Sequence, residues 1–102
     1  MSTMLKTTGH FATPNAQRYM TQLCKHFAHK VPATVEGDQA HVKFQKGSAQ
    51  MRAGADDLEV TITTSEAEAV AMLRAVIDDH LARFAFRENF TMMTWSETVP
   101  TA

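Results

Sequence analysis

Apolar and polar residues alternate between residues 33 and 64, which is the pattern of strands with one buried face. Leu58, Val60 and Ile62, for example, are each followed by a polar residue. Turn signals that contain glycine or aspartate divide this stretch into a meander of four strands. The predicted strands lie near residues 33–36, 39–45, 48–53 and 58–64.

A first helix is predicted after Thr13-Pro14, where apolar residues recur at helical spacing. Threonine can accept hydrogen bonds from the first helical amides, and proline fits the first helical position. The helix should end near His29–Lys30, because Pro32 disfavours helical backbone at the residue before it.

A second helix is predicted to begin at Ser65–Glu68 and to run to about Phe84. Ser65 and Glu68 have the spacing of a capping box, in which each side chain accepts an amide hydrogen bond at the helix start. Asp79 and Arg83 are spaced for an i,i+4 ion pair.

Two further strands are predicted, near Leu5–Phe11 and at Thr91–Trp95. The element order is then β-α-β-β-β-β-α-β. This order predicts an α+β fold, a two-layer sandwich in which two amphipathic helices cover one face of an antiparallel sheet. Residues 1–96 form a single domain in this prediction, and residues 97–102 form a flexible C-terminal tail.

The other face of the predicted sheet is polar. Such a face can be solvated, can bind a ligand, or can pair with a second subunit to give a homodimer. Its predicted members are Lys6, Thr8, His10, His41, Lys43, Gln45, Gln50, Arg52, Glu59, Thr61 and Thr63.

The charge of the 102-residue chain is close to balanced, with a formal net charge of -1. A dedicated nucleic-acid binder needs a basic surface, so no nucleic-acid partner is expected. Residues 1–52 contain seven Lys/Arg and two Asp/Glu, whereas residues 53–102 contain three and nine. Either the two halves attract each other within one fold, or the first half provides a basic face for an anionic ligand.

The location expected from the sequence is the cytoplasm. A single cysteine cannot form an internal disulfide, which favours a reducing compartment. The first residues lack the apolar run of a signal peptide, and no segment approaches the roughly 20 apolar residues of a membrane span. No membrane partner is therefore expected.

The stretch QLCKHFAHK contains Cys24, His26 and His29. On a helix, Cys24 and His26 lie on opposite flanks of the apolar stripe, so they cannot bind one metal ion together. His26 and His29 share a side, but a metal site there would need ligands from elsewhere in the chain. We predict no metal and no cofactor here. We also predict no catalytic residue, because a thiolate at Cys24 is disfavoured near a helix C-terminus.

His80 and the run from Arg83 to Arg87 are the other candidate residues. His80 is expected to face the core, either as a neutral histidine bonded to a backbone acceptor or as a general base or ligand in a pocket. Arg83 and Arg87 alternate with phenylalanines. Such arginines can hold a carboxylate or phosphate, or can simply complement the helix dipole.

Several of these stretches together resemble a bacterial family catalogued as domain of unknown function 2218. The resemblance covers about residues 8–96 and includes Thr13-Pro14, Arg18-Tyr19, Leu23–Pro32, His80–Glu88 and Trp95. The family has no established activity, so the resemblance implies no catalytic residues. It implies an association with siderophore-interacting ferric reductases, and hence with iron-siderophore handling.

Three functional hypotheses follow. The first is a non-enzymatic binding or accessory module for an anionic small molecule or a redox protein partner. The second is a small cofactorless enzyme that uses His80 with Arg83 or Arg87, and the third is a homodimeric assembly protein. The predicted ligand-binding residues, if the two helix ends converge, are His26, His29, His80, Arg83 and Arg87.

Overall fold

The computed structural model describes residues 4–101. Two α-helices, a short 3-10 helix and seven strands follow one another along this part of the chain. Their bounds are β1 Leu5–Ala12, α1 Ala16–Phe27, β2 Ala33–Glu36, β3 Gln39–Phe44, β4 Gly47–Ala53, β5 Asp57–Thr64, α2 Ala67–Phe84, a 3-10 helix Phe86–Glu88, β6 Thr94–Trp95 and β7 Val99–Pro100.

The strands form one antiparallel sheet in the order β2-β3-β4-β5-β1-β6, and β7 also pairs with β1. Both helices pack on the same face of this sheet. The predicted fold class and element order are confirmed, with β7 and the 3-10 helix as additions. The four predicted strands of the meander agree with β2–β5 to within one residue at each end.

The core lies between the helices and the sheet. Strand residues at alternate positions, such as Val60 and Ile62, meet Leu23 of α1 and Ile77 of α2, and each of these four side chains is at most 1% exposed. Complete burial of one such side chain contributes about 1.5–3 kcal/mol. This shared core fixes the position of the two helices relative to each other. It therefore also determines which side chains meet at their C-terminal ends.

The starts of both helices differ from the sequence prediction. The Thr13 hydroxyl accepts the amide of Asn15, but α1 begins only at Ala16. The Ser65–Glu68 capping box does not form, because α2 begins at Ala67 and no side chain caps it. The buried Thr64 hydroxyl instead accepts the Glu66 amide and donates to the Lys46 carbonyl, so the end of β5 shapes this turn.

Two side chains of α2 hold the C-terminal segment by hydrogen bonds. Asp78 accepts the Met93 amide and the Trp95 indole N–H, each at 2.9 Å. Arg74 donates to the Thr7 hydroxyl and the Ser96 carbonyl, at 2.6 and 2.7 Å. These contacts place β6 beside the middle of β1.

Residues 97–101 have a defined place at the edge of the sheet. Val99–Pro100 pair with Lys6 and Leu5, and the Thr101 amide donates to the Met4 carbonyl at 2.8 Å. The predicted flexibility of this tail stays a prediction, and Ala102 lies outside the described residues.

Gly9 lets the Trp95 ring lie directly on β1. A Cβ atom at Gly9 would come within 2.8 Å of two carbons of the indole ring. Real side chains do not tolerate that distance, so the close approach of Trp95 to the strand requires glycine at this position.

Ion pairs connect the basic and acidic halves of the chain. Within residues 4–101 the pairs closer than 4 Å are His10–Asp57, His10–Glu59, Lys46–Glu66 and Arg52–Glu59. Each joins a basic group of the first half to a carboxylate of the second. They are solvent-exposed, so each contributes about 0–1 kcal/mol. The predicted Asp79–Arg83 pair is not formed, which leaves both side chains exposed on α2.

Within residues 4–101, neither helix combines the length and the apolar composition that crossing a bilayer requires.

Candidate functional site at the ends of the two helices

The rings of His26 and His80 are in contact where α1 and α2 end. Their ring centres are 4.7 Å apart, with the ring planes inclined at 53°. His26 is in the last turn of α1 and His80 is one turn before the end of α2. The core that orients the helices therefore joins two histidines that are far apart in the sequence.

A hydrogen bond and an aromatic contact hold His80 in place. Its Nδ1 lies 2.7 Å from the Val76 carbonyl oxygen, one turn earlier on α2. Because a carbonyl can only accept, Nδ1 carries the proton and Nε2 keeps its lone pair in the neutral ring. The ring also packs on Phe27, with centres 5.0 Å apart. His80 is half-buried, so it is held by the core but is not sealed inside it.

Positive charge surrounds His26. The pKa of His26 is lowered. The largest cause is partial desolvation, and smaller contributions come from the nearby basic groups, His80, Arg83, His29 and Lys30. Arg83 is exposed, and no carboxylate of residues 4–101 lies within 4 Å of its guanidinium. We call the group His26, His29, Lys30, His80 and Arg83 the helix-end patch. Lys30 was not among the predicted site residues, although it follows His29 directly.

Arg87 belongs to a different contact. It lies on the 3-10 helix beyond α2, where its guanidinium carbon is 5.6 Å from the centre of the Phe86 ring. It is not one of the charges that act on His26. Of the five residues predicted from sequence, His26 and His80 have rings in contact, Arg83 and His29 are close enough to contribute to the lowered pKa of His26, and Arg87 lies over the Phe86 ring.

Glu88 forms a polar cluster that the sequence analysis did not identify. Its carboxylate accepts hydrogen bonds from the Thr13 hydroxyl, the Asn15 side-chain amide and the Tyr19 hydroxyl. The Tyr19 hydrogen bond is the main cause that lowers the pKa of Glu88. These contacts tie the 3-10 helix to the start of α1. The signal available in the sequence was the presence of Thr13, Tyr19 and Glu88 within the motifs of the resemblance.

Cys24 lies on the core side of α1 and takes no part in the patch. Its side chain is only 3% exposed, and burial raises the pKa of its thiol. A buried thiol with a raised pKa packs as a small apolar residue.

The open face of the sheet is the second candidate surface. The predicted polar residues line up across the strands, for example Thr8, Thr61, Gln50 and His41 in one row. A shallow cleft of about 370 Å³ lies over this face and is lined by residues that include His41, Arg52 and Glu59. Its carboxylates and its arginine offset one another, so the cleft has no strong preference for an anion.

The chain was compared with known proteins. No curated protein matches it. The NMR structure of PA4090 from Pseudomonas aeruginosa is similar, with 26% identity and a TM-score of 0.75 over 90% of this chain and 95% of that chain. The family described as "Uncharacterized protein conserved in bacteria (DUF2218)" matches residues 8–96. That span includes α1, the meander, α2 and the helix-end patch, and the protein belongs to this family.

Proposed function

We propose that the protein is a non-enzymatic binding module that holds an anionic small molecule at the helix-end patch. The observation that carries the proposal is the convergence of Arg83 with His26 and His80, without a carboxylate of residues 4–101 close to the guanidinium. An arginine in this state has its planar donors available for a carboxylate or phosphate group. Lys30 adds a positive charge near His26.

The rest of the patch supports binding and offers less for catalysis. An enzyme site is usually a concave pocket with convergent polar groups. The shallow clefts on the sheet face and beside the first turns of α1 do not contain His80 in their linings. The free lone pair at Nε2 still suits a base, so a cofactorless enzyme with His80 and Arg83 is the alternative within this site.

The test is a titration of the labelled protein with citrate, followed by amide NMR spectra. We expect shifts around His26, Arg83 and Lys30, and an affinity that falls as salt is added, because the attraction is between exposed charges. Arg83→Gln should weaken binding, whereas Arg18→Gln, a matched exposed arginine on α1, should not. A patch that does not respond at millimolar citrate would exclude this proposal.

A second probe addresses the iron association that the family resemblance implies. A gallium-loaded siderophore presents an anionic chelate without the paramagnetism of ferric iron. Binding of this probe at the patch, together with loss of binding in Arg83→Gln, would connect the module with siderophore handling. Citrate binding without siderophore binding would keep the anion site and remove that connection.

The sheet face is a second candidate, favoured by its cleft of about 370 Å³. It would serve either a polar ligand or a second copy of the chain. Shifts around His41 and Arg52 in the same titrations would assign ligand binding to this face. Sedimentation of the pure protein would test the homodimer, which predicts a mass of twice the 11.3 kDa chain.

A further inference from the structure

We infer that His26 and His80 form a two-histidine site for a divalent transition-metal ion that bridges α1 and α2. The sequence offered His26 only His29 as a partner on the same helix, and the missing ligand comes from the other helix. This inference goes beyond anion binding, because it uses the two imidazoles and does not require Arg83.

The distance between the rings suits a shared ion. With metal–nitrogen bonds of about 2.0–2.1 Å and bond angles near the tetrahedral or square-planar value, two imidazoles on one ion have ring centres roughly 4.5–5 Å apart. The ring centres of His26 and His80 are 4.7 Å apart. His26 is exposed, so its ring can rotate toward an ion that His80 also binds.

The hydrogen bond of His80 is of the kind that metal-binding histidines make. Such a histidine usually donates its second ring N–H to a carboxylate or a backbone carbonyl, which fixes the ring and leaves the other nitrogen free. Nδ1 of His80 has the Val76 carbonyl as this partner at 2.7 Å. Nε2 is thus the nitrogen that remains for a ligand bond, and it is already oriented by the helix.

The electrostatic surroundings contain opposing contributions. Arg83, His29 and Lys30 repel a bare cation, but Arg83 is exposed and can turn its guanidinium into solvent. The carbonyl ends of both helices point toward this region and favour a cation. Residues 4–101 contain no cluster of three or more His, Cys, Asp or Glu with metal-site geometry, so the protein supplies two ligands and water or an external ligand completes the shell.

The metals that fit two imidazoles are the late first-row ions. Their affinity for nitrogen ligands rises from Ni²⁺ to Cu²⁺ and falls again at Zn²⁺. We therefore expect one equivalent of Cu²⁺ to bind most tightly among the three. We also expect it to raise the melting temperature, because an ion that binds only the folded arrangement of the two helices stabilises it.

The first test is calorimetric titration of the purified protein and four variants with Cu²⁺ alone. His26→Gln and His80→Gln should each weaken binding by at least about tenfold. Removal of a residue that only hydrogen-bonds to a metal ligand already lowers metal affinity by about that factor. His41→Gln, on the sheet face, should bind as the wild type does, and His29→Gln, in the turn that follows α1, should not weaken binding. Loss of binding in His29→Gln with full binding in His80→Gln would assign the ion to His26 and His29 and overturn the inference.

The second test does not depend on variants that fold. Histidine-ring ¹H–¹⁵N spectra of the wild-type protein are recorded as Zn²⁺ is added. Nε2 of His80 and one nitrogen of His26 should shift together, while Nδ1 of His80 stays protonated. An unchanged His80 ring at saturating Zn²⁺ would overturn the inference. The proposed anion site is tested separately, because Arg83→Gln should weaken citrate binding and should not weaken Cu²⁺ binding.

Discussion

The indole N–H of Trp95 donates a hydrogen bond to Oδ2 of Asp78, and Oδ1 of the same carboxylate accepts the Met93 amide. One buried side chain of α2 thus satisfies two donors of the C-terminal segment. Asp78 is 8% exposed, so water cannot easily replace either hydrogen bond. The position of β6 against β1 depends on this carboxylate.

Asp78→Asn should destabilise the protein by about 1–3 kcal/mol, because an asparagine amide leaves one of the two donors facing another donor. Urea unfolding followed by far-ultraviolet circular dichroism would measure the change. The matched control is the exposed neighbour Asp79→Asn, which should stay within about 0.5 kcal/mol of the wild type. Equal stability of both variants would show that the carboxylate does not hold the segment.

The pH dependence of stability should also change in Asp78→Asn. Burial, only partly offset by the Met93 and Trp95 hydrogen bonds, raises the pKa of Asp78 in the folded state. A group with a raised folded pKa contributes stability below its unfolded pKa of about 3.9, and this contribution is lost as pH rises through the folded value. The stability difference between wild type and variant should therefore shrink as pH increases across that window, and a difference that grows would contradict this assignment.

Glu88 should have the opposite effect. The Tyr19 hydroxyl, opposed by partial desolvation and assisted by Asn15 and Thr13, lowers the pKa of Glu88. Its stabilising contribution is present above the unfolded pKa of about 4.3 and is lost as pH falls through the folded value. Glu88→Gln should lower the melting temperature at pH 7 and remove part of the loss on acidification. Thermal melts between pH 3 and 7 would check this, with Glu97→Gln as the exposed control that should change neither.

Gly9→Ala should displace the Trp95 ring. The new methyl group would lie 2.8 Å from the indole, and overpacking of this kind costs about 1–3 kcal/mol. The chain has a single tryptophan, so its fluorescence reports this site alone. We expect a red-shifted emission and a lower melting temperature. Lys6→Ala, an exposed position on the same strand, should leave the emission unchanged.

Cys24 should react slowly with a thiol reagent while the protein is folded. It is 3% exposed, so the reagent reaches the sulfur atom only rarely. Burial also raises the pKa of its thiol, so little of the reactive thiolate is present at neutral pH. In denaturant the reaction should become fast, which serves as the internal control. A rapid stoichiometric reaction under native conditions would show that α1 opens locally or that the thiol is activated.

The strands were predictable because their signal is local. Val60 and Ile62 are buried while their neighbours are not, and that alternation is visible in any short window of the chain. The end of α2 at Phe84 was predictable for the same reason. The capping box failed because the burial of Thr64, which depends on the sheet, outweighed a local preference for Ser65.

The helix-end patch was only partly predictable. The sequence identified His26 and His80 separately, but their contact depends on the crossing of α1 and α2, which the shared core determines. Arg87 was predicted as a ligand-binding residue from the run of arginines and phenylalanines, on the condition that the helix ends converge; its guanidinium lies over the neighbouring Phe86 ring, and its role in binding stays a prediction. The partners of Asp78 lie 15 and 17 residues further along the chain, and those of Glu88 lie near the start of α1, so no pattern within a short window could indicate either role.

The sheet order has a consequence for the order of assembly. Strands β2 to β5 are joined by tight turns and can pair as soon as they are complete, whereas β1 pairs with β5 only after α1 and three further strands have been made. During synthesis β1 is made before β2 to β5 and is paired after they have begun to pair with one another. The other edge of β1 pairs with β6 later still, after Asp78 of α2 has positioned the segment that carries Trp95. The N-terminal strand is thus the final component to be enclosed, by residues at the opposite end of the chain.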